Sequence, residues 1–184
     1  GRPNTPVPID FDGVPGLLST GTAGSGKSVG VNGLITGALL RGWELVVVDA
    51  PHKAVDFLWC RDLCRPGGWG CDSKEQALTA LDLAYERGQE IARLLKARGA
   101  QKVQDLPPKE RPRPILIVVD EATALFMLEP VPRGIPKDHP LVVEAVAKNL
   151  VTQTLVNRVA AIPAEMRFAG LRIVVSTQMA QAKT

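Results

Sequence analysis

Three shortages in this sequence each remove a class of protein. Cysteine is scarce: Cys60, Cys64 and Cys71 are the whole complement, odd in number and without a second Cys or His cluster to complete a tetrahedral zinc site. Free thiols in a reducing cytoplasm are the plain expectation. Charge excess is small: 22 Lys and Arg against 19 Asp and Glu leave a formal +3, too slight to show a nucleic-acid partner by itself. No apolar run approaches the roughly 20 residues that cross a bilayer, and the start, Gly1-Arg2-Pro3-Asn4-Thr5-Pro6, lacks the apolar stretch of a signal peptide. Internal repeats and low-complexity tracts are missing too. What remains is a chain of 184 residues, 45% hydrophobic, long enough for one substantial core. The expectation is one soluble, cytoplasmic α/β domain over residues 1–184. Because the last strand-like run stops shortly before Thr184, the chain reads as a fragment of a larger protein, with 1–16 as an arm or trimmed hairpin.

Residues 17–20 are a short apolar run ending at a glycine-rich loop, and from Lys27 to about Leu40 apolar positions (Val31, Leu34, Ile35, Ala38, Leu39) recur at helical spacing. The run 45–48, closed by Asp49 and followed by a Pro-containing connection, reads as a buried parallel strand. Asp72-Ser73 caps a long amphipathic helix over 74–98 that Gly99 ends. Pro107-Pro108 and Pro112-Arg113-Pro114 make a stiff connector before the most strand-like segment, 115–119. A second Pro-rich stretch, 130–140, leads to a helix from about 141 to 168, kinked or broken at Pro163, and 171–175 read as the last strand. Strands alternating with helices give a parallel sheet with right-handed crossovers.

Gly21-Thr22-Ala23-Gly24-Ser25-Gly26-Lys27-Ser28 fits G-x-x-x-x-G-K-[ST], which chance supplies in about one such chain per hundred. It lies between strand and helix, where backbone N–H groups and the helix dipole converge on an anion. A lysine in the first turn opposes that dipole unless an anion is bound. The expected nucleotide-binding set is Gly21, Thr22, Ala23, Gly24, Ser25, Gly26, Lys27, Ser28 and Val29, with Lys27 neutralising the β- and γ-phosphates of ATP and the Ser28 hydroxyl on Mg²⁺. The second carboxylate pair, Asp120-Glu121, appears only where an apolar strand ends, the edge at which open α/β sheets bind ligands. Asp120 is the expected magnesium residue and Glu121 the base that polarises the attacking water. Gln178, after Ser176-Thr177 at the end of the last strand, can reach the γ-phosphate or that water, or can simply be a strand end meeting solvent.

With these three elements in order, the sequence resembles the motor domain of the FtsK/SpoIIIE family. Gly21 through Ser28 with Val29-Gly30-Val31-Asn32 is close to that family's extended P-loop, Val118-Val119-Asp120-Glu121 to its Walker B, and Val174-Val175-Ser176-Thr177-Gln178 to its sensor strand. The stretch 99–107 and residues 49–53 look more like the plasmid-transfer branch. The resemblance runs from about Leu17 to the end. It implies a RecA-like P-loop NTPase fold, a mostly parallel sheet with helices on both faces, a homo-oligomer of six subunits, and ATP hydrolysis that pulls double-stranded DNA through the ring. It also implies an arginine supplied in trans, for which Arg167 matches best and Arg158 second. Membrane association would come only through segments outside this sequence.

The chain departs from the family in three places. The segment from Gly13 to Gly21 is short, which leaves the nucleotide's base side open. The stretch 129–140 is unlike the compact family pattern, and its Arg133, Lys137 and His139 read either as a pore loop touching phosphates or as a solvated loop. His52 reads as a turn residue. Two further readings stand beside DNA translocation: an ATPase energising protein secretion, since that branch shares the motor, and a nucleotide-binding scaffold whose hydrolysis does not matter.

Overall fold

The computed structural model describes residues 9–11, 13–22, 24–51 and 53–178; Ala23 and His52 lie outside them. Strand β1 (Gly16–Gly21) feeds α1 (Lys27–Leu40), and β2 (Glu44–Val48) leads through a 3₁₀ helix (Ala54–Leu63) to β3 (Trp69–Gly70) and α2 (Lys74–Arg98). Two short 3₁₀ turns precede β4 (Ile115–Val119). Then come α3 (Ala122–Leu125), α4 (Pro140–Glu165), a 3₁₀ turn (Arg167–Ala169) and β5 (Leu171–Gln178). All pairings are parallel, in the order β1-β5-β4-β2-β3. This is an α/β fold with a wholly parallel sheet among the described residues.

Side-chain alternation sorts the strands into two apolar layers. Val46, Val48, Ile115, Ile117, Val119 and Ile173 face α2 and α4, meeting Leu81, Ile91, Leu155 and Ile162. Leu45, Val47, Leu116, Val118 and Val174 face the other way, against Val31 and Ile35 of α1 and Phe57 and Cys60 of the 3₁₀ helix. Helices on both faces explain why β4, and β2 from Leu45 onward, are continuously apolar: neither face meets water. The cysteines are free thiols, with Cys60 and Cys71 buried in the α1 layer. Among the described residues no helix is long and apolar enough to cross a membrane.

The expected elements are present, with four differences. Strand β5 does not stop at Val175 but runs to Gln178, because β1 pairs with it from Gly16↔Ile173 to Gly21↔Gln178 and supplies backbone partners whatever the side chains are. Helix α4 passes through Pro163 unbroken to Glu165. Pro163 sits in the final turn, where the missing N–H costs one bond and no helix follows to be disrupted. What reads as helix up to 168 is completed by the 3₁₀ turn. The connection after β2 is a 3₁₀ helix that buries Phe57 and Cys60, and the glycine-rich turn conceals β3.

In the segment 129–140, Arg133 and Lys137 are exposed. His139 caps α4, its Nδ1 accepting from the Leu141 N–H at 3.3 Å. Glycine at position 70 is set by packing: a Cβ there would lie 2.8 Å from Ala77 Cα and 3.1 Å from the Gln76 carbonyl oxygen. Because that contact is backbone, it cannot swing aside. Gly70→Ala is therefore expected to cost about 1–3 kcal/mol of stability as overpacking, measured by urea unfolding. A wild-type midpoint would mean that α2 slides freely on β3.

Candidate active site

The site forms where β1, β5 and β4 end. From β1 the chain turns through Gly24 (φ 76°) and Gly26 (φ 84°) into α1, left-handed positions that a Cβ would strain. Helix α1 has no side-chain cap and no acidic residue in its first turn. Its leading N–H groups and positive dipole end are thus left for an anion.

Strand order decides what stands opposite. With β5 between β1 and β4, the phosphate loop faces Asp120-Glu121 across the width of one strand. Asp120 continues the alternation of β4 toward the α1 face. Were the strand to continue, Glu121 would point to the other face. It does not, because Glu121 adopts φ 45°, ψ 41°, the positive-φ non-glycine among the described residues, a conformation found where a site over-determines it. That turn brings both carboxylates to one cation: Lys27 Nζ lies 3.3 Å from Asp120 Oδ1 and 3.6 Å from Glu121 Oε1, its side chain only 8% exposed. The Gln178 side-chain amide, carried on by the extended β5, donates to Glu121 Oε1 at 2.7 Å, and Thr177 and Thr123 share a hydrogen bond beside it. Lys27, Asp120, Glu121 and Gln178 line a cavity of about 440 Å³ with Thr22, Gly24, Ser25, Gly26, Ser28 and Val29. The structure thus brings the described members of the phosphate-loop set, Asp120, Glu121 and Gln178 to one place; Gly21 lies at the end of β1, and Ala23 is outside the described residues.

The two arginines lie elsewhere. Arg167 precedes β5, at the opposite edge of the sheet, where it donates to the Gly13 carbonyl at 3.1 Å and lines a separate cavity with Gln101, Lys102 and Arg172. Arg158 sits between α4 and α2, its Nε 2.6 Å from Asp82 Oδ1 and its guanidinium over the Tyr85 ring at 3.9 Å. Service in trans would require that pair to break. Among the described residues lining the phosphate cavity there is no arginine.

Two charged groups line the site, and a third is buried beside it, without having been assigned to it from sequence. Lys53 and Asp56 line the cavity from the segment after β2, and the 3₁₀ helix that brings them was not legible. Asp49 follows β2 and is 1% exposed. Burial, then the neighbouring Asp120 carboxylate, push its pKa up to about 7 from an ordinary 3.8, while the Ala50 N–H it accepts at 2.6 Å and the Lys27 charge pull the other way. Its signal was the one used for Asp120: a carboxylate closing an apolar strand.

Solved structures share this arrangement of strands and helices. The pCW3 conjugation coupling protein TcpA, in its monomer form with ATPγS, superposes over 92% of this chain with a TM-score of 0.67 at 20% identity. EssC (ATPases 2 and 3) from Geobacillus thermodenitrificans does so over 94%, at 0.62 and 12%. The cytoplasmic domain of the Thermomonospora curvata type VII secretion ATPase EccC gives 0.53 and 18% over 91%. The chain shares the fold of these ATPase and coupling-protein structures. No protein-family model and no curated protein sequence matches the chain. It corresponds to 44% of the TcpA chain, 29% of the EssC chain and 18% of the EccC chain.

The raised Asp49 gives this fold a pH signature. Below about pH 4 the carboxyl is protonated folded or unfolded and costs nothing. Between about 4 and about 7 the unfolded chain releases the proton first, so stability falls as pH rises; above 7 the full cost of the buried charge remains. Unfolding of nucleotide- and metal-free protein should show this decline. Asp49→Asn should flatten it, and an unchanged slope in that variant would place the cost elsewhere.

Proposed function

We propose that this chain is the ATP-hydrolysing motor domain of a protein that translocates double-stranded DNA, in conjugative transfer or in chromosome or plasmid segregation. The observation that carries the reading is the meeting of Lys27, Asp120, Glu121 and Gln178 at one sheet edge, beneath an uncapped helix N-terminus. ATP would place its phosphates on the loop N–H groups, with the Lys27 ammonium leaving the carboxylates for the β- and γ-phosphate oxygens. The Ser28 hydroxyl and Asp120 suit Mg²⁺: both are hard oxygen donors, and Asp120 Oδ1 is a buried acceptor that only the Lys27 ammonium meets, at 3.3 Å. Mg²⁺ needs no more protein than this, since it keeps several waters and takes phosphate oxygens as ligands. Bound there, it would neutralise charge developing on the transferred phosphoryl group. Glu121, released by Lys27 and steered by Gln178, accepts a proton from the attacking water. With no arginine among the described residues that line the cavity, charge stabilisation from a neighbouring subunit completes the site, which favours a ring, as a hexamer in the whole protein; Arg167 is the preferred donor and Arg158 the second. Cytoplasmic placement follows from the need for ATP.

DNA as the substrate rests on the plasmid-transfer wording of residues 49–53 and 99–107 and on the fold shared with a conjugation coupling protein. A second reading, an ATPase energising protein secretion, is favoured by the fold shared with EssC and EccC. ATP turnover by the full-length protein separates them: duplex DNA raises it under the first reading, a polypeptide substrate under the second. Stimulation by neither would sink both. Lys27→Ala should weaken ATP binding about 10- to 100-fold, the worth of one charge-assisted contact, in a protein that still folds. Glu121→Gln should bind ATP normally and lose about 10²- to 10⁴-fold in turnover; full turnover in that variant removes Glu121 as the base.

A further inference from the structure

Three strands end side by side with polar residues on one face. Asp49 stands one residue past the pair Val48↔Val119, and Asp120 likewise; Ser176 stands one past Val119↔Val175 and is paired with Ser19 of β1. Alternation puts all three on the α1 face, with Leu45, Val47, Val118 and Val174 behind them. The result is a row, Asp49-Asp120-Ser176, under the phosphate loop. Its members are 1%, 5% and 0% exposed. Asp49 Oδ2 and Ser176 Oγ are each buried without a hydrogen-bond partner, and Asp120 Oδ1, equally buried, has the Lys27 ammonium at 3.3 Å.

Two such atoms in one row with an acceptor held by Lys27, at the edge where ligands bind, point to missing hydrogen-bond donors. An unpartnered buried carboxylate oxygen is costly, and among the described residues the hydrogen bond given to the Asp49 carboxylate is that of the Ala50 N–H, which goes to Oδ1. Lys27 pairs with Asp120 and Glu121. Once phosphates draw Lys27 away, three carboxylates remain together. Water molecules in the inner shell of a divalent cation are strong donors, and Mg²⁺ retains several of them.

We propose that Asp49, assisted by Ser176, is a positioning residue of the cation site, accepting hydrogen bonds from waters on a divalent cation held directly by Asp120 and Ser28. The proposal rests on the nucleotide-binding reading above and adds to it the residues that decide cation affinity. Asp49 touches neither nucleotide nor cation. It orients the water shell and, through it, Asp120.

Equilibrium binding of a fluorescent ATP analogue to the full chain tests this, read in EDTA and across a Mg²⁺ titration, with the thermal transition of each variant recorded alongside. Asp49→Asn should raise the Mg²⁺ midpoint about tenfold or more, the usual effect of losing an outer-shell partner, and Ser176→Ala by a smaller factor. Affinity in EDTA should stay at the wild-type value in both. A wild-type Mg²⁺ midpoint in Asp49→Asn overturns the proposal, as does a loss equal with and without Mg²⁺, which marks a merely structural residue. If Asp49→Asn does not fold, Ser176→Ala decides, and an unmoved midpoint overturns it. Wild-type protein that binds the analogue in EDTA but ignores Mg²⁺ removes the cation site alone. Wild-type protein that binds no analogue removes the nucleotide reading and this one with it.

Discussion

Lys27 holds its ammonium between Asp120 and Glu121, at 3.3 and 3.6 Å, in a place where all three side chains are largely withdrawn from water. A buried pair of this kind is a weak source of net stability, because desolvating the charges consumes most of what their attraction returns. Its removal by halves is another matter: taking away the lysine leaves two carboxylates beside Asp49 with no counter-charge. The contact therefore ties the start of α1 to the end of β4, and it does so with groups that a phosphate and a cation can each replace. A polyphosphate offers Lys27 a better-charged partner than either carboxylate. A divalent cation offers the carboxylates a better one than Lys27. In the proposed reading, the two halves of the site satisfy one another through this contact until nucleotide and cation replace it.

That exchange requires the two halves to be one strand apart, which the sheet order fixes. Strand β5 intervenes between β1 and β4, and because it is in register with both, residue 178 arrives level with Gly21 on one side and within reach of Glu121 on the other. Gln178 is thus a bridge whose position follows from pairing and not from its own propensity. The same register sets the row of Asp49, Asp120 and Ser176. In a parallel sheet, strands that end together present their last residues as a line, so each polar residue that closes an apolar strand is placed beside the others.

Much of this was legible in the sequence, and the parts that were not share a cause. The phosphate loop, α1, α2, β2, β4 and the Asp120-Glu121 pair declare themselves through local pattern: period, caps, spacing and the abrupt end of an apolar run. Ser176, Thr177 and Gln178 do not, because polar residues look like a strand's end, and only the edge partner β1 shows that the strand goes on. Trp69-Gly70 is a strand because β2 pairs with it and α2 presses on Gly70, facts with no local trace. Arg158 reads as a solvated helix arginine until the fold places Asp82 and Tyr85 against it. Lys53 and Asp56 reach the cavity through a 3₁₀ segment whose pattern is neither helical nor alternating. Local signals reveal local structure; what tertiary pairing confers must be seen.

Glu121 is where the two kinds of information meet. Its identity and place after Asp120 are sequence facts, and they suggest a base, yet a straight strand would aim its carboxylate away from the cavity that Asp120 enters. The left-handed backbone at Glu121 resolves this by turning the chain directly into α3, whose first N–H bonds close on the Glu121 carbonyl at 2.8 and 2.9 Å. A conformation of that kind costs on the order of 1–3 kcal/mol in a non-glycine residue. Glycine would relieve it and lose the carboxylate. Keeping glutamate there, with Lys27 and Gln178 both bound to its Oε1, sets local strain against the placement of one acid. Two neighbouring residues just past the end of β4 thereby turn their carboxylates to one cavity and to Lys27, which regular β geometry does not allow.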